Sequence, residues 1–376
     1  MKVGIITMHH VDNLGSVLQS YALQHKIELM GYDAMIIDYR QPPKNNKEGV
    51  LHKCVLTLLN AALGFPKQKF QGRLNLFKSV YYKCTVDYFT RNTIRTGCPL
   101  FDIYCTGSDQ VWNPRYIGDD TSYMLDFAPV NKPRISYAAS FATDTIPNDL
   151  IKPYSDALSK YQHITVREEV GVELVKKLTG KESKVVCDPT LLLTAEEWGK
   201  VAELSSIEIK DNYILVYLLG YMFDPRPYFY NIVKKIQKEL GYKVYFVNGW
   251  LYDMKQPNSK VLFGVGPSEF IHLFQNASFV ITDSFHGTAF ATIFNRPMLG
   301  VVKSAKSGDG RLTTLLRIVG NENAIVQYDK EIYFDGSNLA MYQADDNLLV
   351  AFRNKSIKEL SDILGKNEII NNYSSL

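Results

Sequence analysis

The sequence has few cysteines, and none of them are paired. Cys54, Cys84, Cys98, Cys105 and Cys187 are odd in number, scattered along the chain and include no CxxC pair. This argues against a disulfide framework and against a thiolate zinc site. Long apolar runs are missing too: none approaches the ~20 residues needed to span a bilayer. The apolar stretch after Met1 is cut off by His9 and His10 before it reaches the length of a signal-peptide core. A reducing cytoplasm is therefore the compartment expected. There is no excess of one charge, since 42 basic and 39 acidic side chains leave a net +3. Without a basic stripe the chain is not expected to bind nucleic acid. Internal repeats and low-complexity segments are absent, apart from an Asn-rich tail after Lys366.

What is present is enough apolar material for two cores. At 376 residues the chain exceeds the size at which a single core stops growing, and 46% of its residues are apolar. Short apolar runs alternate with amphipathic stretches over nearly the whole length, the pattern of β-α units and a parallel sheet. In the first half the expected strands are Lys2–Thr7, Ala34–Tyr39, Phe101–Thr106, Arg134–Ala138, His163–Val166 and Lys184–Cys187, with a helix from about Gly15 to Met30. A polar stretch around Ser205–Asn212 precedes a second series: strands Tyr213–Leu219, Lys243–Val247, Phe279–Thr282 and Met298–Val302, with helices at 226–240, 267–276 and 287–295. The fold class expected is α/β, two Rossmann-like doubly wound domains facing a cleft. The first domain covers 1–204 and the second 205–343. Residues 344–376 supply a helix, about Asp345–Leu364, that packs back, and then the tail. In such sheets ligands bind beyond the carboxyl ends of the strands.

The loops that follow strands therefore carry the candidates. Asp283-Ser-Phe-His-Gly-Thr288 leaves one apolar strand and opens an apolar helix. Asp283 or Ser284 can cap that helix, Gly287 permits close backbone approach, and the free N–H groups at its start form an anion site. His286 stands there as a proton carrier near neutral pH. A purely structural role, capping plus a satisfied core histidine, competes with this. The loop after the first strand, His9-His-Val-Asp-Asn-Leu-Gly-Ser-Val-Leu-Gln19, resembles a phosphate or sugar loop, with Asn13, Gly15, Ser16 and Gln19 as candidates. It lacks GxGxxG and GxxxxGK[ST], so dinucleotide and P-loop chemistry lose their main support. Adjacent histidines point apart on an extended chain and no partner cluster is evident, so no metal is expected.

In Cys105-Thr-Gly-Ser-Asp-Gln-Val-Trp-Asn-Pro114, the groups Ser108, Asp109, Gln110 and Trp112 could form an aromatic platform with polar flanks for a sugar ring. Alternatively Trp112 packs as core. Cys105 and Cys187 have no basic neighbour and read as inert small hydrophobes. Arg167, Lys303 and Arg311 lie near strand ends, where they could bind an anion. Finally, residues 65–92 interleave basic and aromatic side chains. The segment could lie on an anionic membrane surface, or be a helix packed on its own domain, which is the commoner case.

Taken in order, Asn13-Leu-Gly-Ser-Val-Leu-Gln19, Gly107-Ser-Asp-Gln-Val-Trp-Asn-Pro114, Ser136-Tyr-Ala-Ala-Ser-Phe141, Val166-Arg-Glu168, Asp188-Pro-Thr-Leu-Leu192, Asp283–Thr288 and Arg311 resemble the polysaccharide pyruvyl transferase family over about residues 1–320. The resemblance implies a fold like that of GT-B glycosyltransferases. It also implies transfer of a pyruvyl group from phosphoenolpyruvate to two hydroxyls of one sugar, closing a cyclic ketal on a surface glycan or its precursor, with a glycan or lipid-linked glycan as acceptor. His286 matches the family's histidine at the donor site, and Arg167 and Arg311 match basic positions assigned to donor binding. Characterised relatives carry an arginine two residues before the histidine, where this sequence has Ser284. Gly287, Thr288 and Lys303 complete the expected donor side.

This chemistry needs cations, an acid and a base, and no redox cofactor. His286 is the expected acid or base, oriented by Asp283. Two alternatives remain. One is a nucleotide-sugar glycosyltransferase, against which Ala289-Phe-Ala291 stands where retaining enzymes usually carry a glutamate. The other is a glycan-binding protein without catalysis.

Overall fold

The structure, a computed structural model, describes residues 1–41, 64–87, 89–220, 223–249, 253–304 and 310–365. Cys54, Asp309 and the Asn-rich tail lie outside the described residues. Twelve strands among the described residues form two six-stranded sheets. The first contains β1 (Lys2–Ile6), β2 (Asp33–Ile36), β3 (Ile103–Thr106), β4 (Arg134–Ala139), β5 (His163–Val166) and β6 (Lys184–Val185), in the order β2-β1-β3-β4-β5-β6. The second contains β7 (Tyr213–Tyr217), β8 (Lys243–Val247), β9 (Ser259–Leu262), β10 (Phe279–Thr282), β11 (Met298–Val302) and β12 (Ile325–Gln327), in the order β12-β11-β10-β7-β8-β9. Every pairing in both is parallel. This is the expected pair of Rossmann-like sheets.

The central strands β3, β4, β7, β10 and β11 are buried at every position. Helices on both sheet faces demand this, and it is why these strands read as unbroken apolar runs. Two edge strands, β9 and β12, were not expected from the sequence. Ser-Lys-Val-Leu and Ile-Val-Gln each have only one fully buried residue, so their apolar signal is too weak to stand out.

The helices of eight or more residues are α1 (Leu14–Leu29), α2 (Gly64–Tyr81), α3 (Asn148–Leu158), α4 (Glu169–Thr179), α5 (Ala195–Ala202), α6 (Tyr228–Leu240), α7 (Pro267–Asn276), α8 (Phe285–Ile293), α9 (Arg311–Ile318) and α10 (Asp346–Ile363). One continuous apolar cluster runs from the first sheet into the second through α1, α5, α7 and α8. Trp198 on α5 sits at its middle, fully buried, its ring 5.7 Å from Tyr21 of the first domain and 5.0 Å from Phe290 of the second. Its indole N–H donates to the Thr190 carbonyl at 2.9 Å.

Two further elements tie the halves together. On α2, Leu74 and Phe77 are buried, while Arg73 reaches the second domain: its Nε lies 3.0 Å from Glu269 Oε1 and its Nη1 donates to the Gly264 carbonyl at 2.7 Å. The helix thus packs across its own chain, with Leu76 and Val80 left exposed. Helix α10 returns to the first domain, where the Ser356 hydroxyl accepts the Cys187 N–H at 2.9 Å and Arg353 Nε donates to the Leu191 carbonyl at 2.6 Å. No helix among the described residues is long and apolar enough to cross a membrane.

Trp198→Ala removes the largest side chain shared by both domains and leaves Thr190 without its indole donor. Denaturant unfolding is expected to register a loss of about 3–5 kcal/mol, with Trp198→Phe losing less. An alanine variant within about 0.5 kcal/mol of the parent, the range of neutral surface changes, would refute the bridging role.

Candidate active site

At the carboxyl end of β10 the chain turns directly into α8, and most of the polar groups there are spent on making that turn. Ser284 is the N-cap: its Oγ accepts the Gly287 N–H at 3.3 Å, its N–H donates to Thr282 Oγ1 at 3.0 Å, and its carbonyl receives both the N–H and the hydroxyl of Thr288. A Cβ on Gly287 would lie 2.4 Å from Thr282 Oγ1, so the turn requires glycine there. Asp283 accepts from the N–H groups of Leu219 at 2.7 Å and Gly220 at 2.8 Å, one on each carboxylate oxygen. It closes the loop after β7 and does not orient His286, contrary to the sequence expectation.

The carboxylate that faces His286 belongs to the other domain. Asp188, fully buried after β6, has its Oδ2 at 3.7 Å from His286 Nε2. The same oxygen receives Arg167 Nη1 at 2.8 Å and the Ser108 hydroxyl at 3.0 Å, while Oδ1 takes the N–H and hydroxyl of Thr190 at 3.0 and 2.8 Å. Burial alone would raise this carboxyl; His286 and Arg167 outweigh it and hold the group well below the usual carboxylate range. The Arg167 guanidinium also stacks over the Phe285 ring at 4.6 Å, and its Nη2 lies 3.8 Å from Asp109 Oδ1. Its Nε and Nη2 are buried without a hydrogen-bond partner, as is His286 Nε2. Unpaired buried donors of this kind suit an anion.

The loop before α1 closes the same cluster from the other side. Gly15 abuts the imidazole so closely that a Cβ would stand 2.0 Å from His286 Nδ1. Ser16 donates its hydroxyl to Asp109 Oδ2. Asn13 caps α1 by accepting the Ser16 N–H at 3.1 Å. Gln19 is buried, with its amide N–H₂ bonded to Thr7, Ser16 and Ser20. Gln110 Oε1 receives the Asn113 side chain at 2.7 Å.

Trp112 is fully buried against Phe141 and Tyr161, its N–H on the Tyr123 carbonyl. It is core, and the sugar-platform expectation is corrected: Phe141 after β4 and Tyr161 before β5 pack against the indole and leave it no exposed surface. Of the first-domain candidates, Gly15, Ser16, Ser108 and Asp109 join the cluster at His286, while Asn13, Gln19, Gln110 and Trp112 shape the loops behind it.

Lys303 follows β11, the strand paired with β10, and is exposed; Arg311 opens α9 and is buried. Burial pushes the thiols of Cys105 and Cys187 up to about 12 and about 11, as inert cysteines require. The chain turns after β1, so His9 and His10 are not splayed: their rings lie 5.4 Å apart, and His9 Nε2 meets Asp38 at 3.1 Å. Among the described residues no three His, Cys, Asp or Glu side chains gather as a metal site would require.

Asp188 stood in the sequence only as the first residue of the Asp188–Leu192 motif, with no role given to it. Its signal was present, a carboxylate at a strand end before proline, the same criterion that singled out Asp283.

A family model described as polysaccharide pyruvyl transferase matches residues 13–302. No curated protein matches the sequence. Among solved structures, similarity extends to a UDP-N-acetylglucosamine 2-epimerase from Rickettsia bellii (10% identity, TM-score 0.56, covering 97% of this chain and 96% of that one). It extends also to UGT89C1 of Arabidopsis thaliana complexed with UDP-L-rhamnose (11%, 0.53, 96% and 98%). A third is the UDP-GlcNAc 2-epimerase of Methanocaldococcus jannaschii in complex with UDP-GlcNAc and UDP (14%, 0.52, 97% and 100%). At such identities the likeness establishes the two-domain, GT-B-like fold alone.

Two outcomes follow from this geometry. Gly15→Ala should force the imidazole away, so that a crystal structure of the variant finds His286 rotated or the domains parted; an unmoved His286 would contradict the contact. Burial raises the Asp283 carboxyl from 3.8 to about 6, against the pull of the Leu219 and Gly220 N–H groups. A raised acid favours the folded state while it is protonated. Its contribution is therefore complete below about pH 4 and is lost as pH rises to about 6. The stability difference between the parent and Asp283→Asn should change over that window and be flat above it. A difference constant from pH 4 to 7 would count against the raised carboxyl.

Proposed function

The chain belongs to the polysaccharide pyruvyl transferase family, and from that membership we propose that it transfers a pyruvyl group from phosphoenolpyruvate to two hydroxyls of one sugar, forming a cyclic ketal. The observation that carries the proposal is the convergence of His286, Arg167 and Asp188 from both domains, with buried donor atoms left unpaired. The donor is an enol phosphate bearing a carboxylate. A proton is added to its methylene carbon, a sugar hydroxyl bonds to the neighbouring carbon, and phosphate leaves. The second hydroxyl then closes the ketal. Of the two hydroxyl protons released, one balances the proton taken up by carbon and the other leaves with phosphate.

In this scheme Arg167 holds the donor's anionic end through Nε and Nη2, and His286 relays the proton. Asp188 faces the imidazolium that forms and stabilises it, as the carboxylate of a His-carboxylate pair does. Ser284 cannot replace the family's arginine as a charge, because a hydroxyl is neutral; its Oγ accepts the Gly287 N–H at the start of α8. Arg311 and Lys303 are the cations assigned to that task. Glycan, free or lipid-linked, is the acceptor, and the cytoplasm is the place of reaction. The exposed Leu76 and Val80 of α2, on the same helix as Lys69, give a lipid-linked acceptor a surface at which to approach an anionic membrane.

A nucleotide-sugar transferase is the competing reading, and the fold neighbours bound to UDP-sugars favour it to that extent. Against it, Ala289, Phe290 and Ala291 are buried where a catalytic glutamate would stand. Incubation with phosphoenolpyruvate and with UDP-sugars separates the two: glycan-dependent phosphate release supports pyruvyl transfer, and nucleotide release overturns it. His286→Ala is expected to lower turnover about 10²–10⁴-fold with the fold intact. Unchanged turnover would remove His286 from the mechanism.

A further inference from the structure

At the carboxyl ends of β3 and β4, in the middle of the first sheet, lies a groove of about 570 Å³ that the mechanism does not use. Its walls are the loops after β3 and β4. Pro114 and Tyr116 stand on one side, and Thr143, Ile146, Pro147 and Asn148 on the other. Both loops leave the carboxyl ends of central strands, where open α/β sheets bind ligands. The volume suits one or two sugar rings. Pro114, Tyr116, Ile146 and Pro147 bring apolar surface to the lining, and Arg115, Thr143, Thr145 and Asn148 bring polar groups, a mixture that matches the two-sided character of a pyranose.

Hydrogen bonds to the residue after Arg167 tie the groove wall to the strand end that carries the site. Arg167 and Glu168 are consecutive, and their side chains meet different partners. Arg167 turns to Asp188 and Phe285. Glu168, 5% exposed, turns to the β4 loop, where its Oε1 accepts the Ser140 hydroxyl at 2.9 Å and the N–H groups of Phe141 at 2.9 Å and Ala142 at 3.3 Å. Ala142 lines the groove and holds a left-handed φ of 51°, as Asp109 on the facing loop holds 76°. Non-glycine residues persist in that conformation only where their surroundings impose it. Glu168 supplies that constraint at Ala142, and the Ser140 N–H on the Asp109 carbonyl at 3.1 Å joins the two loops. The other carboxylate oxygen of Glu168, Oε2, is buried without a partner.

None of Gly15, Asp109, Arg167, Asp188 or His286 lines the groove. A ring lodged there is therefore not the ring being modified. We propose that the groove between Tyr116 and Asn148 is a second subsite. It holds the sugar next to the one that receives the pyruvyl group, so the chain selects an oligosaccharide rather than a monosaccharide acceptor. Glu168 is a positioning residue that sets the groove wall. This rests on the proposed pyruvyl transfer for the identity of the acceptor, but not for the binding itself.

The test compares the affinities of lactose, cellobiose and chitobiose with those of methyl β-galactoside, methyl β-glucoside and N-acetylglucosamine, by calorimetry on the full chain. At least one disaccharide is expected to bind about tenfold more tightly than its single ring. Thr143→Trp, which fills the groove, should abolish that increment while phosphoenolpyruvate affinity stays within about twofold. Tyr116→Ala, a smaller change, should reduce it, and Glu168→Gln should reduce it too, without altering phosphoenolpyruvate affinity. An increment that survives both Thr143→Trp and Tyr116→Ala, or no increment for any of the three disaccharides, overturns the subsite. Failure of the transfer reading registers elsewhere, as absent phosphoenolpyruvate binding in the parent protein whatever the disaccharides do.

Discussion

One buried carboxylate, Asp188, is the point on which both the architecture and the chemistry turn. It lies in the first domain, yet its Oδ2 faces Arg167, Ser108 and, across the domain boundary, His286, while its Oδ1 is filled by Thr190. Taking a carboxylate and a guanidinium out of water costs several kcal/mol for each ion unless geometry and hydrogen bonds offset it. Here both carboxylate oxygens of Asp188 are hydrogen-bonded, which offsets its burial at 0% exposure, while Arg167, 2% exposed, keeps Nε and Nη2 unpaired. Thr190 is in turn fixed by Trp198, and Trp198 is held by aromatic rings from both domains. The apolar joint between the sheets and the polar cluster at its edge are thus one mechanical unit.

That arrangement explains a division of labour among residues that look alike in the sequence. Asp283 and Asp188 both end a strand, but Asp283 meets only backbone N–H groups and serves a loop, whereas Asp188 meets an arginine and a histidine. Ser284 and Ser16 both begin a helix. The first accepts the cap bond from Gly287; the second donates to Asp109, because Asn13 does the capping at α1. Gly15 earns its place through what it must not have, a Cβ, since the imidazole of the opposite domain occupies that space.

The fold was largely legible in advance. Parallel strands covered on both faces must be apolar throughout, so β3, β4, β7, β10 and β11 announce themselves, and caps at Asn13 and Ser284 fix where α1 and α8 begin. Strands β9 and β12 escaped because an edge strand is covered on one side only and carries too few buried residues to form a run. At the site, strand-end position identified His286, Arg167, Asp109 and Gly15. The same rule overreached for Trp112, whose indole satisfies its N–H on a backbone carbonyl and disappears into the core.

The sequence by itself determined two parallel α/β domains, the family, and a histidine at a helix start where a proton carrier and an anion can meet. Only the tertiary structure decided which carboxylate serves that histidine. Asp188 and His286 are almost a hundred positions apart and belong to different sheets. No periodicity or local spacing relates them, because their distance is set by how two separately folded sheets pack around Trp198. Asp283, three residues from His286, lost the role for the complementary reason: two N–H groups at the end of β7 already hold its carboxylate.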